Sequence, residues 1–499
     1  MSHGIVARYE HRRGHGNERK PLRRESTGRQ CATMSPGACS SALRWYTQWT
    51  ESPLHSGLVW RAPATLKKRI PINPKRFTCI FAITWSPTGT HATTSYMRAS
   101  FITIVMATAT NCALAQVDLT AVFLPPTASE IETVRAEWAA RFPSAPNWTV
   151  VATGSDSAGR TLQVVRHDIQ PSGVHFAAIR YPLGFDPQST YPVMLCLHGG
   201  NDGVSMGIFG SYDNMAGTST DPCSGREAIL LAPSYRCEPL IAGQLGTFMS
   251  TGDCTMLDFE VDDVIGLVSG VLENIPAADE HHVFGWGMSH GGGLLLGVLA
   301  RDHRVRAGID FYGAADVFQP SSQAEAEALV DAGECNLPVS WRLVVCDFVD
   351  GTLTLAQTRI DLLRHSRGHF VDQITRLDVH HGTIDPTVDV VQSRLLAEHA
   401  AATSPALATF HFFEYPTGVH SIASLTGYQP RFRAFLCSAF NMPQRRLGDI
   451  NESGTVDAAD LTLLMSAWGV ITATSRCDLN ADHIVNAADL AILLSAWGS

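Results

Sequence analysis

Residues 284–293 constrain the fold of this chain more than any other stretch. They contain the pattern Gly-x-Ser-x-Gly as Gly287-Met288-Ser289-His290-Gly291. The apolar residues 282–284 suit the end of a strand, and the Leu-rich stretch 292–300 suits a helix. A serine at such a junction takes a strained turn that needs small flanking residues, and its hydroxyl projects above the sheet. The pattern therefore predicts a nucleophile elbow with Ser289 as the nucleophile.

Apolar segments on both sides of the elbow alternate between strand and helix character. Continuous apolar runs are typical of strands buried on both faces of a parallel sheet. Such alternation predicts an α/β fold with a mostly parallel central sheet and helices on both faces. The expected strands are 161–165, 174–179, 192–197, 228–233 and 307–312, and the expected amphipathic helix before the elbow is 261–274.

A second glycine pair follows one of these predicted strands. His198-Gly199-Gly200 comes directly after the apolar run 192–197. Glycine lets backbone N–H groups come close to a ligand, which an oxyanion hole requires. We therefore expect the oxyanion donors to be the backbone N–H of His290 together with that of Gly199 or Gly200.

The serine needs a base, and the base needs an acid to set its tautomer. Asp385 lies in a loop after the apolar run 374–379, and His420 lies in a Gly-containing loop 35 residues later. An internal alternative exists if residues 341–348 form a strand.

In that alternative Asp350 is the acid, and His380 or His381 is the base. We prefer Asp385 and His420, because the alternative leaves a complete strand-loop-helix-strand-loop set without a use. Residues 318–370 then form an insertion, expected as a lid over the active site. The rings of His282, His290 and His411 are expected to be structural.

These residues resemble the α/β-hydrolase superfamily, and specifically the catalytic domain of prolyl oligopeptidase family serine peptidases. The resemblance covers roughly residues 160–437 and lies in Gly287–Gly292, in the run His381-Gly382-Thr383-Ile384-Asp385, and in His420. It implies the α/β-hydrolase fold and a triad in the chain order Ser289, Asp385, His420. The family's β-propeller has no counterpart, since about 45 residues separate residue 116 from the first expected strand. His198-Gly199-Gly200 equally resembles secreted carboxylesterases.

The charge is divided unevenly along the 499-residue chain. Residues 1–96 hold 15 basic and 4 acidic side chains, whereas the remainder holds 22 basic and 43 acidic ones. Met97-Arg98 begins a segment with a short apolar run and the small-x-small site Ala113-Leu114-Ala115, as in a secretory signal peptide. We therefore expect residues 1–96 to be upstream, non-mature sequence and residues 97–116 to be a signal peptide.

This interpretation makes the protein secreted, either extracellular or associated with the cell surface. The apolar run is too short to cross a bilayer as a helix, so no transmembrane segment is expected. The alternative for residues 1–96 is a basic arm for nucleic acid or membrane. We expect no nucleic-acid partner.

The expected mature chain retains an even number of cysteines, which permits disulfides in a secreted protein. Cys223, Cys237 and Cys254 lie in a Gly/Ser/Thr-rich region where a disulfide would be useful, and Cys196 is expected to be a buried thiol. No Cys-x-x-Cys pair exists, which disfavours a zinc site. The eight residues are Cys196, Cys223, Cys237, Cys254, Cys335, Cys346, Cys437 and Cys477.

The C-terminal residues 448–499 contain a repeat with an offset of 29 residues, after a linker at 441–447. Oxygen-bearing side chains at loop positions 1, 3, 5, 9 and 12 match the spacing of an EF-hand-like calcium loop. The predicted ligands are Asp449, Asn451, Ser453, Thr455 (carbonyl), Asp457 and Asp460 in the first loop, and Asp478, Asn480, Asp482, Ile484 (carbonyl), Asn486 and Asp489 in the second.

The two loops resemble type I dockerin domains, which imply paired calcium loops and a cohesin-type partner. Gly454 stands at the turn position of the first loop, whereas His483 replaces it in the second. A surface or a matrix is the alternative partner. We expect the two helices after the loops to pack through Trp468 and Trp497.

The domain organisation is then a catalytic domain at 117–440 followed by a calcium-binding tail. The sequence predicts a secreted serine hydrolase, similar to prolyl oligopeptidase, that cleaves peptide or ester bonds and needs no cofactor for catalysis. One alternative is a carboxylesterase acting on polysaccharide-linked or polymer esters. The other is an inactive adhesion or scaffold protein.

Overall fold

The structure is a computed structural model that describes residues 118–217, 227–334, 341–403, 409–442, 446–451, 453–469, 475–480 and 484–498. Several predictions lie outside the described residues. They concern the upstream segment 1–96, the signal peptide 97–116, Cys223, Cys335, residues 443–445 of the linker, Asp482 and His483.

Twelve strands and eleven α-helices are present in the described part of the chain. The strands are β1 (Thr149–Ser155), β2 (Thr161–Asp168), β3 (Val174–Arg180), β4 (Tyr191–Leu197), β5 (Val204–Ser205), β6 (Ile229–Pro233), β7 (Pro239–Ile241), β8 (Thr247–Met249), β9 (Ala278–Met288), β10 (Val305–Phe311), β11 (Arg376–Gly382) and β12 (Thr409–Tyr415). The helices are α1 (Ala128–Ala139), α2 (Gly207–Ala216), α3 (Phe259–Asn274), α4 (His290–Arg301), α5 (Pro320–Ala332), α6 (Trp341–Val349), α7 (Leu355–Arg364), α8 (Val391–Ala402), α9 (Tyr428–Phe440), α10 (Ala458–Ser466) and α11 (Ala487–Ser495).

Nine strands form one mixed sheet in the order β1-β2-β3-β6-β4-β9-β10-β11-β12. The six strands from β6 to β12 in this order run parallel to one another. The three at the other edge, β1, β2 and β3, are antiparallel. The mostly parallel sheet predicted from the sequence is therefore confirmed. The carboxyl ends of the parallel strands share one edge, where ligand-binding residues of such sheets collect.

The sheet separates two apolar cores, as β4 illustrates. Val193, Leu195 and Leu197 belong to one core, and the alternate residues Met194 and Cys196 belong to the other. Successive side chains of a strand point to opposite faces, so a strand covered on both faces must be apolar throughout. Helices α3, α4 and α8 cover the first face, and α2 and α9 cover the second. The predicted α/β-hydrolase architecture, with helices on both faces, is confirmed.

The N-terminal part of the catalytic domain holds two elements that the sequence did not predict. Helix α1 begins with a capping box in which Thr127 and Glu130 exchange hydrogen bonds. Strand β1 adds to the edge of the sheet beside β2, so the first strand starts at Thr149 rather than near 161. This exposed edge strand has little apolar alternation, which explains why the pattern was missed.

The segment between β10 and β11 is helical. Residues Trp341–Val349 form α6, so the alternative prediction of a strand at 341–348 is wrong. Apolar side chains of this segment pack against the chain at Leu119 and Val122. Arg359 joins the two by donating to Glu130 and to the carbonyl oxygens of residues 121, 122, 124 and 125. A role of this segment as a lid stays a prediction.

A small three-stranded sheet, in the order β5-β7-β8, lies beside β3. Cys237 precedes β7 and Cys254 follows β8, and a disulfide joins them. It therefore closes the base of the hairpin that these two strands form. Cys196 is a fully buried thiol, as predicted, and burial raises the pKa of that thiol to about 12. Of the helices in the described part of the chain, none combines the length and the apolar character needed to span a membrane.

The C-terminal tail has a small core of its own. Ile450, Val456, Leu464, Val485 and Leu493 are buried together between α10 and α11. The two tryptophans expected at this interface are instead exposed, Trp468 by 43% and Trp497 by 46%. The prediction that the helices pack through them is wrong, because the shorter aliphatic side chains on the inner faces already fill this small core.

Candidate active site and calcium loops

Ser289 stands between the last residue of β9 and the first residue of α4. Its backbone has φ 54° and ψ −121°, a conformation that residues with a side chain rarely adopt. The N–H of Ser289 donates to the carbonyl oxygen of Phe311, which fixes the turn to the neighbouring strand β10. Strain at a single residue, held by the surrounding packing, is typical of functional positions.

The two glycines of the pattern are required by close backbone contacts. A Cβ on Gly287 would lie 2.1 Å from the carbonyl oxygen of Gly291. One on Gly291 would lie 2.4 Å from the carbonyl oxygens of both Leu197 and His198. No side chain fits at either position without moving the backbone, so the elbow and the end of β4 can approach only through glycine.

Three of the predicted site residues meet at the carboxyl end of the sheet. His420 Nε2 lies 2.9 Å from the hydroxyl oxygen of Ser289, and His420 Nδ1 lies 2.7 Å from Asp385 Oδ2. The Asp385 side chain is fully buried, whereas that of His420 is 19% exposed. The second carboxylate oxygen of Asp385 accepts the N–H groups of Thr387, at 2.8 Å, and Val388, at 3.0 Å. These bonds hold the carboxylate in its orientation.

This geometry sets the tautomer of His420. An ionised carboxylate only accepts hydrogen bonds, so Asp385 requires the proton of the neutral imidazole to be on Nδ1. Nε2 is then free to accept the hydroxyl proton of Ser289. The ring of Tyr312 lies against the imidazole with ring centroids 4.4 Å apart, which limits its rotation. A hydroxyl, an imidazole and a carboxylate in this order can generate a serine nucleophile.

The two alternative bases have other partners, and the alternative acid is exposed. His381 Nδ1 lies 2.7 Å from Ser393 Oγ, its Nε2 lies 2.9 Å from the carbonyl oxygen of Val388, and burial lowers its pKa. His380 faces the hydroxyl of Tyr415 at 2.7 Å, and burial lowers the pKa of His380 to about 3. Asp350 is exposed just after α6. The structure thus brings Asp385 and His420, rather than the alternative set, to Ser289.

The predicted oxyanion donors lie around the same hydroxyl. His290 is the first residue of α4, and an N–H at that position has no acceptor within its own helix. Gly199 packs directly on the serine, since a Cβ there would lie 3.1 Å from Ser289 Cβ. Gly200 has φ 76°, a value that favours glycine. Gly199 and His290 thus both adjoin Ser289, and the roles of these N–H groups as oxyanion donors stay a prediction.

A charged pair behind the elbow was not predicted from the sequence. The His290 ring places Nε2 2.8 Å from Glu260 Oε2 and Nδ1 3.1 Å from the carbonyl oxygen of Gly200. Because both neighbours are acceptors, the ring donates from both nitrogens. Burial opposes the charge, but the Glu260 carboxylate raises the pKa of His290 above its ordinary value. The signal in the sequence was an acid on the buried face of the apolar helix α3.

The first calcium loop has its acids turned inward. Asp449 is 5% exposed and Asp460 is fully buried. The carboxylate of Asp449 accepts the N–H groups of Ser453, at 2.9 Å, and Gly454, at 2.8 Å. That of Asp460 accepts the N–H of Asn451 at 3.0 Å. Gly454 adopts φ 91°, as the turn position requires. Buried carboxylates on a tight loop of oxygen donors fit Ca²⁺, a hard cation that prefers oxygen ligands.

The second loop repeats part of this arrangement. Asp489 is fully buried, and its carboxylate accepts the N–H groups of Leu479, at 2.6 Å, and Asn486, at 2.8 Å. Asn486 caps helix α11 through the N–H of Ala488, as Asp457 caps α10 in the first loop. In both loops the acid at position 12 accepts the N–H groups of positions 3 and 9: Asp460 from Asn451 and Asp457, and Asp489 from Asn480 and Asn486. The residues present fit two calcium ions.

Comparison with known proteins identifies the tail. Residues 447–496 match the family model of the dockerin type I domain. The tail is a dockerin domain, as the resemblance of its loops implied, and dockerin type I domains bind calcium. No curated protein matches the chain.

Several solved structures are similar to the chain. Acetyl xylan esterase 1 from a Thermoanaerobacterium species is 13% identical with a TM-score of 0.44, over 65% of this chain and 100% of that one. Acetyl xylan esterase from a Paenibacillus species is 13% identical with a TM-score of 0.46, over 64% and 99%. Dipeptidyl peptidase 4 from Porphyromonas gingivalis is 18% identical with a TM-score of 0.37, over 58% and 42%.

Proposed function

We propose that the chain is a secreted serine hydrolase that cleaves acyl bonds through a covalent acyl-enzyme and is tethered by its dockerin domain. Ser289 is the nucleophile, His420 the general base and Asp385 the acid that orients the base. The proposal rests on one observation: the unbroken chain of contacts from the Ser289 hydroxyl through His420 to Asp385, at 2.9 and 2.7 Å. An elbow with a strained serine at its tip supports the same roles.

The first half-reaction acylates the serine. Ser289 Oγ attacks the carbonyl carbon of the substrate while His420 Nε2 takes the hydroxyl proton. The imidazolium that forms is stabilised by the Asp385 carboxylate. The carbonyl oxygen becomes an oxyanion that accepts hydrogen bonds from the backbone N–H of His290 and of Gly199 or Gly200. The C–O or C–N bond of the substrate then breaks, and the leaving alcohol or amine takes the proton from His420.

The second half-reaction releases the acid. Water gives a proton to His420 and attacks the acyl carbon of the ester on Ser289. The same backbone N–H groups hold the second oxyanion, and Ser289 recovers its proton from His420 as the acyl bond breaks. The products are a carboxylic acid and the free enzyme. Every proton in these steps is carried by Ser289, His420, the substrate or water. Calcium held by the carboxylates of the tail, such as Asp449 and Asp460, would supply folding energy to the dockerin domain.

Two substrate classes are candidates. The resemblance to prolyl oligopeptidases favours a peptide bond. An ester bond on a polysaccharide or other polymer is favoured by the run His198-Gly199-Gly200, which equally resembles that of secreted carboxylesterases. Through its dockerin domain the protein binds a cohesin-type partner, a surface or a matrix. Its location is extracellular.

A fluorophosphonate probe tests the nucleophile. The probe should label the wild-type protein, and Ser289→Ala should abolish the labelling. Ser421→Ala is the matched control, because it removes a hydroxyl next to the same histidine and should leave labelling intact. Labelling that persists in Ser289→Ala would contradict the proposed mechanism.

A substrate panel then separates the classes. It consists of p-nitrophenyl esters, an acetylated polysaccharide, and proline- and alanine-type peptide anilides. Hydrolysis of the esters alone supports a carboxylesterase, and hydrolysis of the anilides supports a peptidase. Absence of both labelling and hydrolysis would favour the remaining alternative, an inactive adhesion or scaffold protein.

A further inference from the structure

A cluster of two histidines and one aspartate shares no residue with the triad or with the calcium loops. It consists of Asp316, which follows β10, His369 in the 3₁₀ helix Arg367–Gln373, and His399 in α8. Their ligand atoms all lie within 4.8 Å of one another. Within the described residues, this is the one group of three His, Cys, Asp or Glu side chains that is so close.

The distances fit a metal ion. His369 Nε2 lies 3.1 Å from Asp316 Oδ2, and His399 Nε2 lies 3.6 Å from the same oxygen. Zinc binds imidazole nitrogen and carboxylate oxygen at about 2.0–2.1 Å in a tetrahedron, which places neighbouring ligand atoms about 3.3 Å apart. The two observed separations lie on either side of that value.

An unsatisfied polar atom points into the same cluster. The side chain of His369 is 9% exposed, and its Nε2 is buried with no hydrogen-bond partner among the described residues. The approach of this nitrogen to Asp316 is short but does not have the direction of a hydrogen bond. Buried polar atoms of native proteins nearly always have a partner. A cation between the three side chains would supply one.

The surrounding contacts hold the aspartate ready for a ligand. Asp316 Oδ1 accepts the N–H of Phe318 at 2.7 Å, which leaves Oδ2 for the cluster. Gln392 accepts the N–H groups of Ala315 and Asp316 and donates to the carbonyl oxygen of Asp316. In metal sites, hydrogen bonds of this kind come from residues that do not bind the metal, and they orient the residues that do. Gly368 donates to the carbonyl oxygen of Ala315 at 2.8 Å and so keeps the 3₁₀ helix beside this loop.

We propose that Asp316, His369 and His399 bind a divalent transition-metal ion, Zn²⁺ in particular. Two imidazole nitrogens exclude Ca²⁺ and Mg²⁺, which prefer oxygen ligands. The His399 side chain is 31% exposed, so solvent reaches the cluster and water completes the coordination. The ion joins the loop after β10, the 3₁₀ helix and α8. Helix α8 follows the loop that holds Asp385. The metal site therefore stabilises the segment next to Asp385, and it takes no part in acyl transfer.

The experiment uses the full chain, freed of any affinity tag, stripped with chelator and returned to Ca²⁺ so that the dockerin domain stays folded. Zn²⁺ and Co²⁺ are then added. His399→Gln removes the most exposed ligand, and Asp316→Asn removes the carboxylate but keeps an acceptor for Phe318. The matched control is His411→Gln, because His411 pairs with Asp378 at 2.9 Å, is 52% exposed, and has no third ligand in the cluster found among the described residues.

Wild type and His411→Gln should each retain one Zn²⁺ more per chain than either ligand variant, measured by mass spectrometry of the metal. Co²⁺ should give the intense visible absorption of a four-coordinate site, which the oxygen-only calcium loops do not give. Zn²⁺ should raise Tm by a few degrees in wild type and His411→Gln only. Equal Zn²⁺ contents and spectra in all four proteins would overturn the proposal. Should the ligand variants fail to fold, a wild-type Co²⁺ spectrum lacking that absorption overturns it alone.

Discussion

Replacement of Asp385 by asparagine tests the triad through the tautomer of His420. In the wild type, one carboxylate oxygen accepts the N–H groups of Thr387 and Val388, and the other faces His420 Nδ1 at 2.7 Å. An asparagine can still accept the N–H groups of Thr387 and Val388 only if its carbonyl oxygen takes the position of Oδ1. Its NH₂ group then points at His420.

An amide N–H donates, so Nδ1 must become the acceptor and the imidazole proton moves to Nε2. Nε2 then faces Ser289 with a proton and cannot take another. A reversal of this kind lowers kcat by about 10⁴ in a well-studied triad. That factor corresponds to about 5 kcal/mol of transition-state stabilisation. The two backbone contacts survive the change, so we expect Tm to be nearly unchanged.

The assay is kcat for a p-nitrophenyl ester, with Tm measured on the same samples. Asp350→Asn is the matched control, since it makes the same chemical change at an exposed carboxylate. Asp385→Asn should lose about 10⁴ in kcat, whereas Asp350→Asn should stay within a factor of two or so. A loss below tenfold for Asp385→Asn, or a greater loss for Asp350→Asn, would refute the reasoning.

Three further predictions follow from the structure. Glu260→Gln removes the charge that holds the His290 ring. This substitution should lower kcat by less than the ~10²-fold to 10³-fold loss that is typical of a missing oxyanion donor. KM should change little. An unchanged kcat would contradict the positioning role of Glu260. Burial raises the pKa of Asp310 from 3.8 to about 7. Between these two pH values the folded state retains a proton that the unfolded state releases. The free energy of unfolding therefore falls as the pH rises from about 4 to about 7. Asp310→Asn mimics the protonated form and should raise Tm relative to wild type at about pH 8 but not at about pH 4; parallel Tm profiles would refute this. Removal of Ca²⁺ with EGTA should expose residues 447–496 to protease, while ester hydrolysis continues, and Ca²⁺ should restore protection; a tail of unchanged protease sensitivity would show that the loops do not bind calcium.

Local patterns were sufficient for much of the fold. The continuous apolar runs predicted the buried strands β4 and β6, because a strand covered on both faces must be apolar throughout. The order of strands and helices then leaves few topologies. Edge elements escaped this reasoning, since β1 is exposed and has no such run. The segment 341–348 was ambiguous because a short apolar run fits a buried helix as well as a strand.

The spacing of the calcium loops and the glycines around Ser289 could likewise be read from the chain itself. Both depend on neighbours within about a dozen residues, whose geometry the backbone fixes locally. Packing between elements could not be read in this way. Trp468 and Trp497 looked suited to a small core, yet aliphatic side chains fill it and both rings are exposed.

The sequence by itself determined the elbow, the α/β alternation and the paired loops, because each is encoded by the period and type of adjacent residues. The tertiary structure alone decided which acid and which histidine reach Ser289, since both candidate sets have suitable spacings. It alone brought together Asp316, His369 and His399, which belong to three different segments. Contacts between residues so distant in the chain depend on how whole elements pack on the sheet, and no local pattern records that packing.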